Sequence, residues 1–142
     1  MTEVLQLFTS HWRNPELRHL DATIIGISRG TPRGNPGFRY RVLRSLAPSR
    51  ETFTIQDRER YAASYRAQLE ELGVGRILVD LKRIGGTGTI VMLCWEWLAD
   101  PLEWCHRRML ACYIERDTGL EVPELKAQML PQREDMAQRS LF

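Results

Sequence analysis

Thr89-Ile90-Val91-Met92-Leu93-Cys94 is apolar at nearly every position. A strand with one solvated face alternates apolar and polar residues; a strand covered on both faces does not. The run therefore predicts a central strand with helices packed over it. Gly85-Gly86-Thr87-Gly88 precedes it and breaks the chain. Upstream, Ile77, Leu78, Leu81 and Ile84 carry helical spacing, as do Tyr61, Tyr65, Leu69 and Leu72 in a segment opened by Thr54 or Asp57 and stopped by Gly73. Downstream, Cys105 to Arg116 predicts another helix, closed by Gly119.

A second apolar, β-branched run, Thr23-Ile24-Ile25-Gly26-Ile27, predicts another buried strand. Glu3 to Phe8 predicts a first strand ended by Thr9 and Ser10, with Asn14 and Pro15 as the cap and first residue of a following helix. A short strand is expected at Leu120 to Val122. Helices alternating with apolar strands point to an α/β fold: a single three-layer, Rossmann-like domain with a short, mostly parallel sheet. That domain is expected over 1–125, with a polar tail over 126–142.

The chain has 142 residues, 43% hydrophobic and 27% charged, enough to bury a core without disulfides or structural metal. No apolar run approaches the length of a membrane span, and Met1 to Gln6 has no basic flank or long apolar segment, so neither a membrane partner nor a signal peptide is expected. Three cysteines, an odd number, then predict free thiols in the cytoplasm, with a Cys94–Cys105 bridge as a redox state. Net charge is only +2, but Arg29, Arg33, Arg39, Arg41, Arg44 and Arg50 fall in one segment without a single Asp or Glu. Phe38 and Tyr40 lie within it and offer faces for base stacking.

The pieces Phe8-Thr9-Ser10, Ile27-Ser28-Arg29-Gly30-Thr31-Pro32, Tyr40 with Leu46-Ala47-Pro48, and Leu93-Cys94-Trp95-Glu96 followed by Cys105-His106-Arg107 resemble the family called domain of unknown function 488. Here the gap from Trp97 to Trp104 is longer than in that pattern. The resemblance implies a small α/β fold and a shared site, and no established activity.

The candidate site follows from where strands end, because open α/β sheets place ligands at the carboxyl ends of their strands. Cys105, at a helix start, is a candidate nucleophile, a neighbour of a bound anion, or core filler. His106 faces inward with Met109, Leu110 and Tyr113 and is a candidate proton carrier or a satisfied core histidine. Glu96 is a candidate acid–base group or an ion-pair partner of Arg107 or Arg29. Cys94 and Cys112 are expected to be packed. Thr9, Ser10, Ser28, Arg29, Cys94 and Arg107 are candidates for holding an anion, if the strands are parallel and end together. Arg33, Arg39, Tyr40, Arg41 and Arg44 are candidate nucleic-acid contacts.

No metal site is expected. Cys-x2-Cys and His-x3-His spacings are absent, and two adjacent helical residues diverge by about 100°. No cofactor is expected, and Gly85 to Gly88 precedes a strand where a phosphate cradle would follow one. Three classes remain open: an enzyme or binder for a small phosphorylated or nucleotide-like ligand; a nucleic-acid-binding protein; and an interaction module in which Trp95, Trp97 and Trp104 form a surface.

Overall fold

The computed structural model describes residues 5–86, 88–95, 105–126 and 129–130. Glu96, Trp97, Trp104 and most of the expected tail lie outside the described residues. Four strands form one sheet: β1 (Gln6–His11), β2 (Thr23–Gly26), β3 (Arg41–Val42) and β4 (Thr89–Cys94). Their order is β1-β4-β2-β3 and every pairing is parallel. The α/β class and the parallel sheet are thus as expected.

β4 is central because it is apolar on both faces. Ile90, Val91, Met92, Leu93 and Cys94 are all completely buried. Ile90 and Met92 point to one layer with Leu7 and Ile25, while Val91 and Leu93 point to the other with Phe8 and Ile24. Burying four such side chains contributes about 1.5–3 kcal/mol each.

Three helices cover the first face: α2 (Arg58–Leu72), α3 (Val74–Gly85) and α4 (His106–Thr118), preceded by one short turn, α1 (Arg50–Phe53). Asp57 caps α2 by accepting from the Arg60 N–H, and Tyr61, Tyr65 and Leu69 form its buried stripe. Ile77 and Leu81 do the same for α3. Gly119 ends α4 in the left-handed conformation, φ 75°, which a residue with a Cβ rarely adopts.

The second face differs from the expected helical layer. A single 3-10 turn, Pro15–Arg18, lies there, capped by Asn14 as the sequence suggests. The rest of the cover comes from Trp12, Leu20, Phe38, Tyr40 and Leu125. Trp12 lies so close to β2 that a Cβ on Gly26 would meet its ring at 2.5 Å, which explains a glycine inside a buried strand.

β1 continues through Thr9 and Ser10 to His11, beyond the expected end at Phe8. The hydroxyls are buried because they have partners: Thr9 donates to Glu124, and Ser10 accepts from Asn14. The outer edge of β1 is covered by 123–125, where Thr9 bridges Glu124 and Leu125 N–H donates to Thr9 O. This replaces the expected strand at Leu120 to Val122. Among the described residues, no helix is long and apolar enough to cross a membrane.

Candidate functional site

β1, β4 and β2 are parallel neighbours, so His11, Cys94 and Ile27 leave the sheet at one end. The start of α4 returns to that end. His106 Nε2 lies 2.6 Å from the Ile27 carbonyl, which accepts only, so Nε2 carries the proton and Nδ1 is left with its lone pair. Nδ1 sits 3.8 Å from Cys105 Sγ. The edge of the Tyr65 ring closes over the imidazole, centroids 5.4 Å apart. Burial, with a smaller contribution from the Arg107 charge, outweighs the Ile27 hydrogen bond and pushes the His106 pKa down to about 4. A ring that takes up no second proton at neutral pH accepts a hydrogen bond from a thiol at Nδ1 but does not carry the proton away.

Cys94 and Cys105 are joined as a disulfide, with Cα atoms 7.4 Å apart. The expectation of three free thiols therefore fails for this pair, because the end of β4 and the start of α4 meet across the sheet edge. Cys105 is not a helical residue. It caps α4 in an extended conformation, φ −145° and ψ 144°, so the divergence expected of adjacent helical residues does not apply. The sulfurs of Cys94 and Cys105 and a ring nitrogen of His106 all lie within 4.8 Å of one another. Cys112, expected in the core, is an exposed free thiol.

Arg107 is the largest fully buried side chain among the described residues. Its Nε and Nη2 donate to the two carboxylate oxygens of Glu124 at 3.0 and 2.7 Å, a bidentate pair, and Nη1 donates to Cys94 Sγ at 2.8 Å. Glu124 also accepts from the Thr9 hydroxyl, and Thr9 Oγ1 accepts from Arg108, which donates to the Val122 carbonyl as well. The chain of contacts Arg108–Thr9–Glu124–Arg107–Cys94 fixes a positive charge beside one sulfur. His11 lies near this network, its pKa lowered first by burial and then by Arg107.

The remaining expected anion ligands are engaged elsewhere. Ser28 accepts from Trp12 Nε1 and donates to the Gly30 carbonyl. Arg29 is exposed, donates to the Pro48 carbonyl and lies 5.5 Å over the Phe53 ring. Thr9 and Ser10 are inside β1. Arg33, Arg39, Arg41 and Arg44 are all exposed, with Arg41 in the edge strand β3 and Arg39 and Arg44 close to it in sequence. Tyr40 packs edge-on against Trp12, centroids 4.8 Å apart, and is half-buried. Glu124, His11 and Arg108 escaped the sequence reading. Register alone, placing His11 opposite Cys94, signals one of them.

A family model described as Domain of unknown function DUF488 matches residues 27–114, more than half of the chain. The chain belongs to the DUF488 family. The matched span of this DUF488 domain holds Cys94, Cys105, His106 and Arg107, while Thr9, His11 and Glu124 lie outside it. Comparison with curated proteins and with solved structures finds no match.

Proposed function

We propose that this DUF488 domain is a two-electron thiol redox centre, working through the Cys94–Cys105 pair in a reducing cytoplasm. The observation that carries the reading is the buried Arg107 guanidinium, 2.8 Å from Cys94 Sγ and held there by Glu124. A fixed positive charge beside a sulfur favours the thiolate, the reactive form of cysteine. Disulfides in cytoplasmic proteins are mostly transient, catalytic or sensing. Cys94 is completely buried and Cys105 is 3% exposed, so the oxidant must be small, and hydrogen peroxide is a two-electron oxidant of that size.

The step balances as follows. The Cys94 thiolate attacks one peroxide oxygen, the O–O bond breaks, and Cys94 becomes a sulfenic acid. The leaving hydroxide takes the proton of the Cys105 thiol and departs as water. The Cys105 thiolate then attacks Cys94 Sγ, the S–S bond forms, and a second hydroxide leaves. Sulfur loses two electrons and the peroxide gains them; a cellular thiol returns the pair to the reduced form. His106 accepts a hydrogen bond from the Cys105 thiol and orients it.

Peptide mapping by mass spectrometry tests this. Reduced protein given one equivalent of hydrogen peroxide should lose two thiols and yield the Cys94–Cys105 cross-linked peptide, with Cys112 still free. Oxidation at Cys112 alone, or an unreacted pair, would refute it.

The phosphorylated or nucleotide-like ligand has weaker support: Arg107 is engaged by Glu124 and Cys94, and Arg29 by Pro48 and Phe53. A nucleic-acid partner is favoured by one observation: the six arginines from Arg29 to Arg50 are all exposed, in a segment with no Asp or Glu. Anisotropy of a labelled single strand tests that reading. Binding should fall steeply between low and moderate salt, and flat or absent binding would remove it.

A further inference from the structure

Three soft or borderline donors converge at the carboxyl end of β4: Cys94 Sγ, Cys105 Sγ and the His106 ring nitrogen, all within 4.8 Å of one another. The ring is already prepared for ligation. With Nε2–H donating to the Ile27 carbonyl, the lone pair of Nδ1 is directed at the sulfurs, 3.8 Å from Cys105. Metal-bound histidines are oriented in this way, one nitrogen on the ion and the other N–H on a backbone carbonyl or carboxylate.

Backbone spacing points the same way. The Cα atoms of Cys94 and Cys105 are 7.4 Å apart, whereas disulfide-linked residues are ordinarily separated by roughly 4.4–6.8 Å. Two thiolates on one tetrahedral zinc ion, each about 2.3 Å from it, stand on the order of 3.7 Å from each other. That wider sulfur spacing suits the wider backbone. Charge also closes: two thiolates neutralise a divalent ion, and Glu124 neutralises Arg107, whose Nη1–H remains a hydrogen-bond donor to the Cys94 sulfur.

We propose that the reduced domain binds one zinc ion through Cys94, Cys105 and His106, and that disulfide formation abolishes this site by consuming both thiolates. Two thiolates and an imidazole are the ligand set that zinc favours, and three protein donors leave one tetrahedral position for an exogenous ligand. The inference rests on the same pair being reducible, as the redox reading does.

The test uses the full chain, fully reduced under nitrogen, with its thiols counted by alkylation before metal is added. Co2+ serves as the spectroscopic probe and Zn2+ as its competitor. Reduced protein with three alkylatable thiols should bind one Co2+ with sulfur-to-metal charge-transfer absorption, and one equivalent of Zn2+ should displace it. Cys112→Ser should bind unchanged; Cys94→Ser and Cys105→Ser, each keeping one thiolate, should weaken the charge-transfer band and weaken Zn2+ binding by more than the roughly 10–100-fold that loss of an outer-shell partner costs. The oxidised wild-type chain, which needs no substitution to fold, should bind none. Reduced protein with three counted thiols and no bound metal would overturn the zinc site and leave the redox reading standing. Binding that persists in the oxidised chain would also overturn the site. Failure to raise the thiol count at all would instead remove the redox reading, and the zinc site with it.

Discussion

Glu124→Gln changes one atom and removes one charge, and its cost can be worked from the contacts. Glu124 receives two charge-assisted hydrogen bonds from Arg107, a residue with no exposed surface, and a third from Thr9. Breaking a buried ion pair costs about 3–5 kcal/mol. The Glu124 side chain is 28% exposed, so water compensates in part, and the amide keeps one bond to Arg107 and the contact with Thr9. The expected loss is about 2 kcal/mol, equivalent to a fall in Tm of roughly 6–8 °C for a domain of this size. Urea unfolding followed by tryptophan fluorescence measures it, with exposed Glu121→Gln as a control expected within about 0.5 kcal/mol. The same variant should speed peroxide oxidation of the pair at neutral pH, because the Arg107 charge beside Cys94 Sγ is then no longer offset by the carboxylate. A Glu124→Gln chain matching wild type in both urea midpoint and oxidation rate would refute the Arg107–Glu124 account.

Gly26→Ala places a methyl group 2.5 Å from the Trp12 ring. It should cost about 1–3 kcal/mol by overpacking, with a shift in the tryptophan emission maximum as Trp12 moves off Ser28; an unchanged urea midpoint would contradict that packing. His106 is buried and neutral, with a folded pKa of about 4 against 6.5 unfolded. The unfolded chain therefore binds the proton first, and stability present above pH 6.5 is lost as pH falls toward 4. The loss is on the order of 3 kcal/mol, read as the difference in urea stability between metal-free wild type and His106→Gln across that window. A difference that stays constant with pH would be the contrary result. Cys112→Ser should leave stability within about 0.5 kcal/mol and leave one disulfide-forming pair, as thiol counting would show.

What the sequence revealed depended on the range of each interaction. β4 and the stripes of α2 and α3 were legible because burial on two faces and helical periodicity are local patterns. The common sheet end of Ser28 and Cys94 followed from parallel order, which the alternation of helices and strands implies. β1 ran past its expected end because Thr9 and Ser10 satisfy their hydroxyls with Glu124 and Asn14, contacts that no strand propensity encodes. Arg107 read as a candidate anion ligand because its own partner, Glu124, lies seventeen residues on, in a stretch without periodicity. Cys112 was misplaced for a simpler reason: Arg107, Leu110, Ala111 and Ile114 define the buried face of α4, and Cys112 is out of phase with it. The Cys94–Cys105 bridge was legible only as a redox state, because a reducing compartment makes free thiols the default. The convergence of Cys105 and His106 was hidden by the assumption that Cys105 is helical, when it is the extended cap before the helix.

The most direct measurement is the pH profile of peroxide oxidation for reduced Cys112→Ser, by stopped flow from pH 6 to 8. An ordinary cysteine is only a few per cent thiolate at pH 7 and its rate climbs nearly tenfold per pH unit in this range. With Arg107 holding Cys94 as the thiolate, the rate should be nearly flat and about tenfold above that of free cysteine at pH 7, the gain in thiolate being offset in part by lower nucleophilicity. A rate that rises with pH as free cysteine does, and no faster, would contradict the claim that Arg107 makes this pair a redox centre.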